Sequence, residues 1–149
     1  MAELLSITTG VFALLGTCIT VGGALKDFYD GAKSANTRIK ALMSNVESFV
    51  QTLRLMKDTL EQEEVQSSFQ TTGHIGNHWS NIASSIQDGQ LTLSRLQSAL
   101  DRAGKDVKLL DGSRKNLRLK GATDEIVTFQ RQIQVHKDTL QLCLQAMVL

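Results

Sequence analysis

The residues of this chain that could do chemistry are few, and no catalytic motif contains them. His74 and His78 have the spacing of two metal ligands on one helical face, but Ile75-Gly76-Asn77 between them forms helix poorly. No phosphate-binding loop, nucleophile elbow, zinc-protease helix or CxxC motif occurs. An acidic cluster has no nucleophile or metal partner nearby; it comprises Asp58, Glu61, Glu63 and Glu64. The sequence therefore predicts no enzyme activity, no metal site and no cofactor.

The composition favours a single helical domain. The 149 residues are 42% hydrophobic and 21% charged and contain no proline, which is typical of an all-α globular chain. The formal charge of +1 excludes nucleic acid as the default partner. Cys18 and Cys143 lie in apolar segments, and Glu3 is the only charge before Lys26, so we expect reduced thiols, no secretory signal and a cytoplasmic protein.

Apolar residues spaced alternately four and three apart predict three amphipathic helices. The first stripe comprises Ala35, Ile39, Leu42, Val46, Phe49, Leu53, Met56 and Leu60. The second runs from Trp79 to Leu110, with Gly89 in an apolar position where we expect a weakened or kinked helix. The third runs from Ala122 to Met147; Thr123 is its predicted cap, and His136 on its stripe is expected to make one hydrogen bond in a core or interface.

The connections are predicted at Asp30-Gly31, at Glu61 to Asn81 and at Gly104 to Gly121. Adding the N-terminal segment to the three amphipathic helices predicts an up-down four-helix bundle with an apolar, glycine-rich N-terminal helix.

The N-terminal segment is the most informative part of the sequence. Leu4 to Leu25 contains 22 residues without a charge, which as a helix would be about 33 Å long, close to the thickness of a bilayer core. Its small residues form a predicted helix-packing face of Thr9, Gly10, Ala13, Gly16, Thr20 and Gly23. The larger side chains form a surface that could meet core or lipid; they are Leu4, Leu5, Val11, Phe12, Leu15, Ile19, Val21 and Leu25. Two interpretations stay open, a central helix of a soluble bundle and a membrane-inserting helix, and a helix stored in a bundle and later released would satisfy both.

A basic stretch lies between Lys105 and Lys120. Six cations stand against two aspartates, a local charge of +4, and could contact anionic lipid headgroups; they are Lys105, Lys108, Arg114, Lys115, Arg118 and Lys120. A solvated connector is the alternative. The stretch contains no aromatic side chain for base stacking, which argues against nucleic acid.

Three stretches together resemble the HeLo-like N-terminal domain of fungal STAND (NLR-like) proteins. They are the opening apolar helix ending in Leu25-Lys26-Asp27-Phe28, the Ile39 to Leu60 helix with Asn45-Val46-Glu47-Ser48, and the closing segment from Ile133 to Leu142 with His136-Lys137-Asp138-Thr139-Leu140. The resemblance covers nearly the whole chain. It implies a helical bundle related to the HeLo domain of the HET-S incompatibility protein and, more remotely, to the four-helix domain of the mixed lineage kinase domain-like protein.

The resemblance also implies a function and partners. Domains of this kind act in programmed cell death and fungal innate immunity: a regulatory NLR-like module in the same or another chain clusters the bundles, and the N-terminal helix then permeabilises the plasma membrane. Leu4 to Leu25 matches that helix, and Gly10, Gly16, Gly22 and Gly23 match its glycine-rich character. The sequence contains no nucleotide-binding module, so we expect a domain excised from a larger protein. The alternative is a non-lytic helical adaptor that binds another signalling protein.

Overall fold

The computed structural model describes residues 2–31, 37–62, 76–109 and 113–148. These residues form five α-helices and no strand: α1 Ala2–Gly31, α2 Thr37–Glu61, α3 Gly76–Leu109, α4 Ser113–Val127 and α5 Phe129–Val148. Because Thr128 alone separates α4 from α5, these two elements act as one interrupted helix beside the other three. The chain is an all-α helical bundle, as the sequence predicts.

The four members of the bundle do not each pack against the next one in sequence. α1 packs against α2 and α3, and α5 packs against the same two helices, so α2 and α3 lie diagonally across the core. Gly10 of α1 lies beside Ile86 of α3, and Thr17, further along α1, contacts Gln90, further along α3. Helices α1 and α3 are therefore parallel. α1 and α3 are thus neighbours although they are not consecutive in the chain, whereas the consecutive helices α2 and α3 do not lie side by side. The 14 residues between α2 and α3 are long enough in sequence to cross the diagonal of a bundle whose helices lie about 8–10 Å apart.

The predicted apolar stripes form the core. All the stripe residues of α2 that the structure describes are buried, from Ile39 to Leu60. α1 has a stripe of its own at the same four-three spacing, which the sequence does not reveal because the whole segment is apolar or small. It consists of Ile7, Val11, Leu14, Cys18, Val21 and Leu25. α3 contributes Ile86, Leu93 and Leu96, and the last two helices contribute Ile126, Ile133 and Leu140.

Gly89 is buried where α3 meets α1 and α2. A Cβ at this position would lie 3.4 Å from Leu14 Cδ2 and 3.7 Å from Phe49 Cζ. The glycine replaces an apolar residue in the stripe because its neighbours already fill that space. α3 continues through Gly89 as one α-helix.

The segment from Gly104 to Gly121, predicted as a connection, is mostly helical. α3 extends past Gly104, and α4 already contains Gly121. Thr123 is therefore no cap: it is buried in the middle of α4, and its hydroxyl donates to the Leu119 carbonyl at 2.7 Å. A glycine costs a helix about 1 kcal/mol relative to alanine, and packing of α4 against α3 offsets that cost here.

Candidate functional site: the two faces of α1

The structure divides the apolar side chains of α1 between the core and the solvent. Val11, Val21 and Leu25 are fully buried, and Leu15 is nearly so. Phe12 and Ile19, by contrast, are 43% and 51% exposed. The predicted membrane-inserting set is therefore not one surface, since most of it holds α1 in the bundle and only part of it faces outward. The side chains of Leu4 and Leu5 lie outside the described residues.

α1 is long and apolar enough to cross a membrane. Its candidate span is Ser6–Asp30, and the most apolar 18-residue window has a mean hydropathy of 1.6. Only a third of that window is buried. α1 thus occupies a corner of the bundle and is not the enclosed central helix that its composition would also allow.

The small residues of α1 mostly face solvent. Thr9, Ala13 and Thr20 are exposed, and a Cβ at Gly16 or Gly23 would meet nothing within 4 Å. In the part of the chain that the structure describes, this predicted packing face is therefore largely uncovered. Gly10 differs from the rest, since a Cβ there would lie 3.0 Å from Ile86 Cγ2, so that α1 approaches α3 closely. The face lies outward because the core stripe occupies the opposite side of the helix.

Two threonines of α1, Thr17 and Thr20, have their hydroxyl protons satisfied inside the helix. Thr17 Oγ1 donates to the Ala13 carbonyl and Thr20 Oγ1 to the Gly16 carbonyl, each at 3.0 Å. Thr17 Oγ1 also accepts a hydrogen bond of 2.9 Å from Gln90 Nε2 of α3. A shallow uncharged groove of about 510 Å³ runs along this side; its lining is Ala13, Gly16, Thr17, Thr20, Gln90, Ser94 and Gln97.

One cation covers part of the outer face of α1. The Lys57 ammonium of α2 lies 4.9 Å from the centroid of the Phe12 ring. An exposed aromatic face attracts a cation by about 0.5–1 kcal/mol. Lys57 therefore shields one apolar side chain of α1 without burying it.

The predicted basic patch is divided between two helices. Lys105 is exposed near the end of α3, whereas Arg118 and Lys120 are exposed in α4. The side chains of Lys108, Arg114 and Lys115 lie outside the described residues, so the patch of six cations stays a prediction.

Residue His74 and the side chain of His78 also lie outside the described residues. In the part of the chain that is described, no group of three or more histidine, cysteine, aspartate or glutamate residues could hold a metal ion.

Among the described residues, His136 makes one side-chain hydrogen bond, which joins two helices. Its Nε2 lies 2.9 Å from the hydroxyl of buried Thr92 on α3. Burial lowers the pKa of His136 from its ordinary value of 6.5, while the negative charge of Asp88 opposes that change. His136 is thus a half-buried interface histidine, as expected from its place on the stripe.

Both thiols are free. Burial raises the pKa of Cys18 in α1 and, less strongly, that of Cys143 in α5. Each is therefore a neutral thiol and a poor nucleophile at neutral pH.

A second surface cavity lies where the sequence predicts no site. It holds about 350 Å³ between α3 and the start of α5, and its lining is Ser94, Arg95, Ser98, Arg102 and Phe129. The four α3 residues share one helical face at three-, four- and seven-residue spacing, a signal that the sequence contains. Phe129 belongs to a helix far along the chain, and only folding brings it to this face.

Comparison with protein-family models, with curated proteins and with solved structures finds no match to this chain. The resemblance to HeLo-like domains therefore stays a prediction.

Proposed function

We propose that this domain is a membrane-targeting cell-death effector or inducer, whose first helix leaves the bundle on oligomerisation and permeabilises the plasma membrane. The observation that carries the proposal is α1 itself. It is long and apolar enough to span a bilayer, yet only a third of its apolar window is buried in the fold. A surface helix that serves a bundle alone carries charged residues on its outer face, whereas α1 has no charged side chain from Ser6 to Leu25.

The inner stripe of α1 explains how one helix can suit two environments. In the bundle, Val11, Leu14 and Leu25 are removed from water by α2 and α3. In a bilayer the same side chains would be removed from water by lipid, so the hydrophobic free energy lost on leaving the core is regained. Small residues on the outer face would then allow close contact between inserted helices.

The threonines support the same proposal. An unsatisfied polar group in hydrocarbon costs several kcal/mol, which normally keeps hydroxyl groups out of a membrane. Thr17 and Thr20 already donate to carbonyls of their own helix and keep those bonds wherever the helix goes. The hydrogen bond from Gln90 to Thr17 would be lost on release.

Release also exposes the core surfaces of α2 and α3, so the resting bundle needs a trigger. In this proposal a regulatory NLR-like module, in the same chain or in a partner, supplies it by clustering copies of the cytoplasmic domain into a homo-oligomer. Anionic phospholipid at the plasma membrane then receives the released helices.

A charge on the outer face of α1 tests the proposal without damaging the core. Ile19 is 51% exposed, so Ile19→Glu leaves the packing of the bundle intact, but a charged side chain at the middle of an inserted helix costs about 2.5–3.5 kcal/mol. We expect the full chain, clustered through a fused oligomer, to release dye from anionic liposomes, and we expect Ile19→Glu to release little. Leu55→Glu is the matched control, since Leu55 is a 58% exposed leucine on α2 and its variant should leak like the parent.

If the clustered parent and the Ile19→Glu variant both release dye to the same extent, α1 has no membrane role. If neither releases dye, the non-lytic adaptor is favoured. Val11 is no site for this test, because it is fully buried and a charge there would unfold the domain. Deleting residues 1–25 fails for the same reason, since it removes the inner stripe of α1 from the core.

A further inference from the structure

We propose that the cavity between α3 and the start of α5 binds a phosphate ester. Its lining brings two guanidinium groups, two hydroxyl groups and one aromatic ring to a single concave surface of about 350 Å³. Guanidinium groups form paired, charge-assisted hydrogen bonds with phosphate oxygens. The site shares Ser94 with the groove beside α1, but its two arginines and its ring belong neither to that groove nor to the basic stretch in the sequence.

The cations on this surface have unused hydrogen-bonding capacity. Arg95 is exposed and makes no ion pair with any residue that the structure describes. Arg102 uses one nitrogen, which lies 2.9 Å from Glu125 Oε1, and the other donors of its guanidinium stay available. The two arginines are seven residues apart, about 10.5 Å along the helix, so that both flexible side chains can reach an anion held between them.

The serines and the ring complete a site with a polar and an apolar side. Ser98 Oγ donates to the Ser94 carbonyl at 3.1 Å, whereas the Ser94 hydroxyl makes no hydrogen bond with any described residue and can donate to a phosphate oxygen. Phe129 is half-buried against the core and presents carbon to the cavity. An ester with an apolar or ring-shaped organic group therefore fits better than inorganic phosphate.

Glu125 competes with the ligand for Arg102. The ion pair between them is well exposed, with 68% and 51% of the two side chains accessible, and such pairs are readily broken. A phosphate dianion carries more charge than the carboxylate and would displace it from the guanidinium. Removing the Glu125 charge should therefore strengthen binding, an effect that a purely structural ion pair would not produce.

The test is a titration of the full chain with inorganic phosphate and with phenyl phosphate at constant ionic strength, followed by amide chemical shifts. We expect saturable shifts on α3 and at Phe129, with tighter binding of phenyl phosphate. Arg95→Gln should weaken binding about tenfold, and Glu125→Gln should strengthen it about threefold. Arg54→Gln, which removes an exposed arginine from α2, is the matched control and should leave binding unchanged. Matching thermal melts verify that each variant is folded.

A second arm separates the two sources of a phosphate ester. The protein is cosedimented with phosphatidylcholine vesicles that contain or lack phosphatidic acid. If Arg95→Gln reduces binding to the vesicles with phosphatidic acid, the ligand is a lipid headgroup. If Arg95→Gln leaves vesicle binding unchanged while phenyl phosphate still binds the parent, the ligand is a soluble phosphate ester. The site is overturned if neither soluble probe saturates, or if Arg95→Gln and Glu125→Gln bind like the parent. Because the titration contains no membrane, its failure is distinguishable from failure of the proposed membrane function.

Discussion

α1 and α2 have the same kind of inner stripe and differ on the side that faces away from the core. Both helices bury apolar residues at alternating four- and three-residue spacing, in α1 from Ile7 to Leu25 and in α2 from Ile39 to Leu60. Outside, α2 presents charges such as Arg54 and Asp58, whereas α1 has none from Ser6 to Leu25. The bundle needs only the inner stripe, so the uncharged outer face of α1 is available for a second environment.

The largest expected effects concern the two inner stripes. Leu14→Ala in α1 and Leu53→Ala in α2 each remove a fully buried leucine side chain, and each should lower the free energy of unfolding by about 2–5 kcal/mol in urea denaturation. Ile19→Ala on the outer face of α1 is the control and should cost less than about 1 kcal/mol. A small cost for Leu14→Ala beside a large one for Leu53→Ala would break the comparison, because α1 would then be held only loosely.

An intermediate effect distinguishes the packed and the open glycines of α1. Gly16→Ala should raise the free energy of unfolding by about 0.5–1 kcal/mol, since alanine favours helix and the new methyl group meets nothing within 4 Å. Gly10→Ala should raise the free energy of unfolding by less than Gly16→Ala does, or should lower it, because Ile86 Cγ2 lies 3.0 Å from the new Cβ and must move. Thermal unfolding of both variants provides the measurement, and a greater gain at Gly10 would contradict the close approach of α1 to α3.

The last effect, of similar size, concerns the contact through which α2 partly covers the outer face of α1. A double-mutant cycle with Phe12→Ala and Lys57→Met should give a coupling free energy of about 0.5–1 kcal/mol, as expected for a cation above an exposed ring. Chemical denaturation of the four proteins measures it. The same cycle with Lys40 in place of Lys57 should give no coupling, and equal values in both cycles would mean that the contact does not form in solution.

The sequence predicts which segments are helical better than it predicts which faces of those helices are buried. The α2 stripe was predicted residue by residue, because charged and apolar residues alternate there with a clear helical period. The stripe of α1 was missed since both faces are apolar or small and the period has no contrast. The outward direction of Gly16 and Gly23 could not be read for the same reason.

The candidate sites show the same division. The length and missing charge of α1, which carry the proposed function, are properties of the sequence alone. The spacing of Arg95, Ser98 and Arg102 in the sequence already places these side chains on one face of α3, but only the fold brings Phe129 against that face to form the cavity.

The sequence by itself determined an all-helical chain, because apolar periodicity and the absence of proline are local properties that act within a few turns of helix. Which helices are neighbours, which face of α1 is buried and which cations share a cavity were decided by the tertiary structure. These features depend on contacts between residues far apart in the chain, such as Gly89 with Leu14 and Phe49, and no local pattern encodes them.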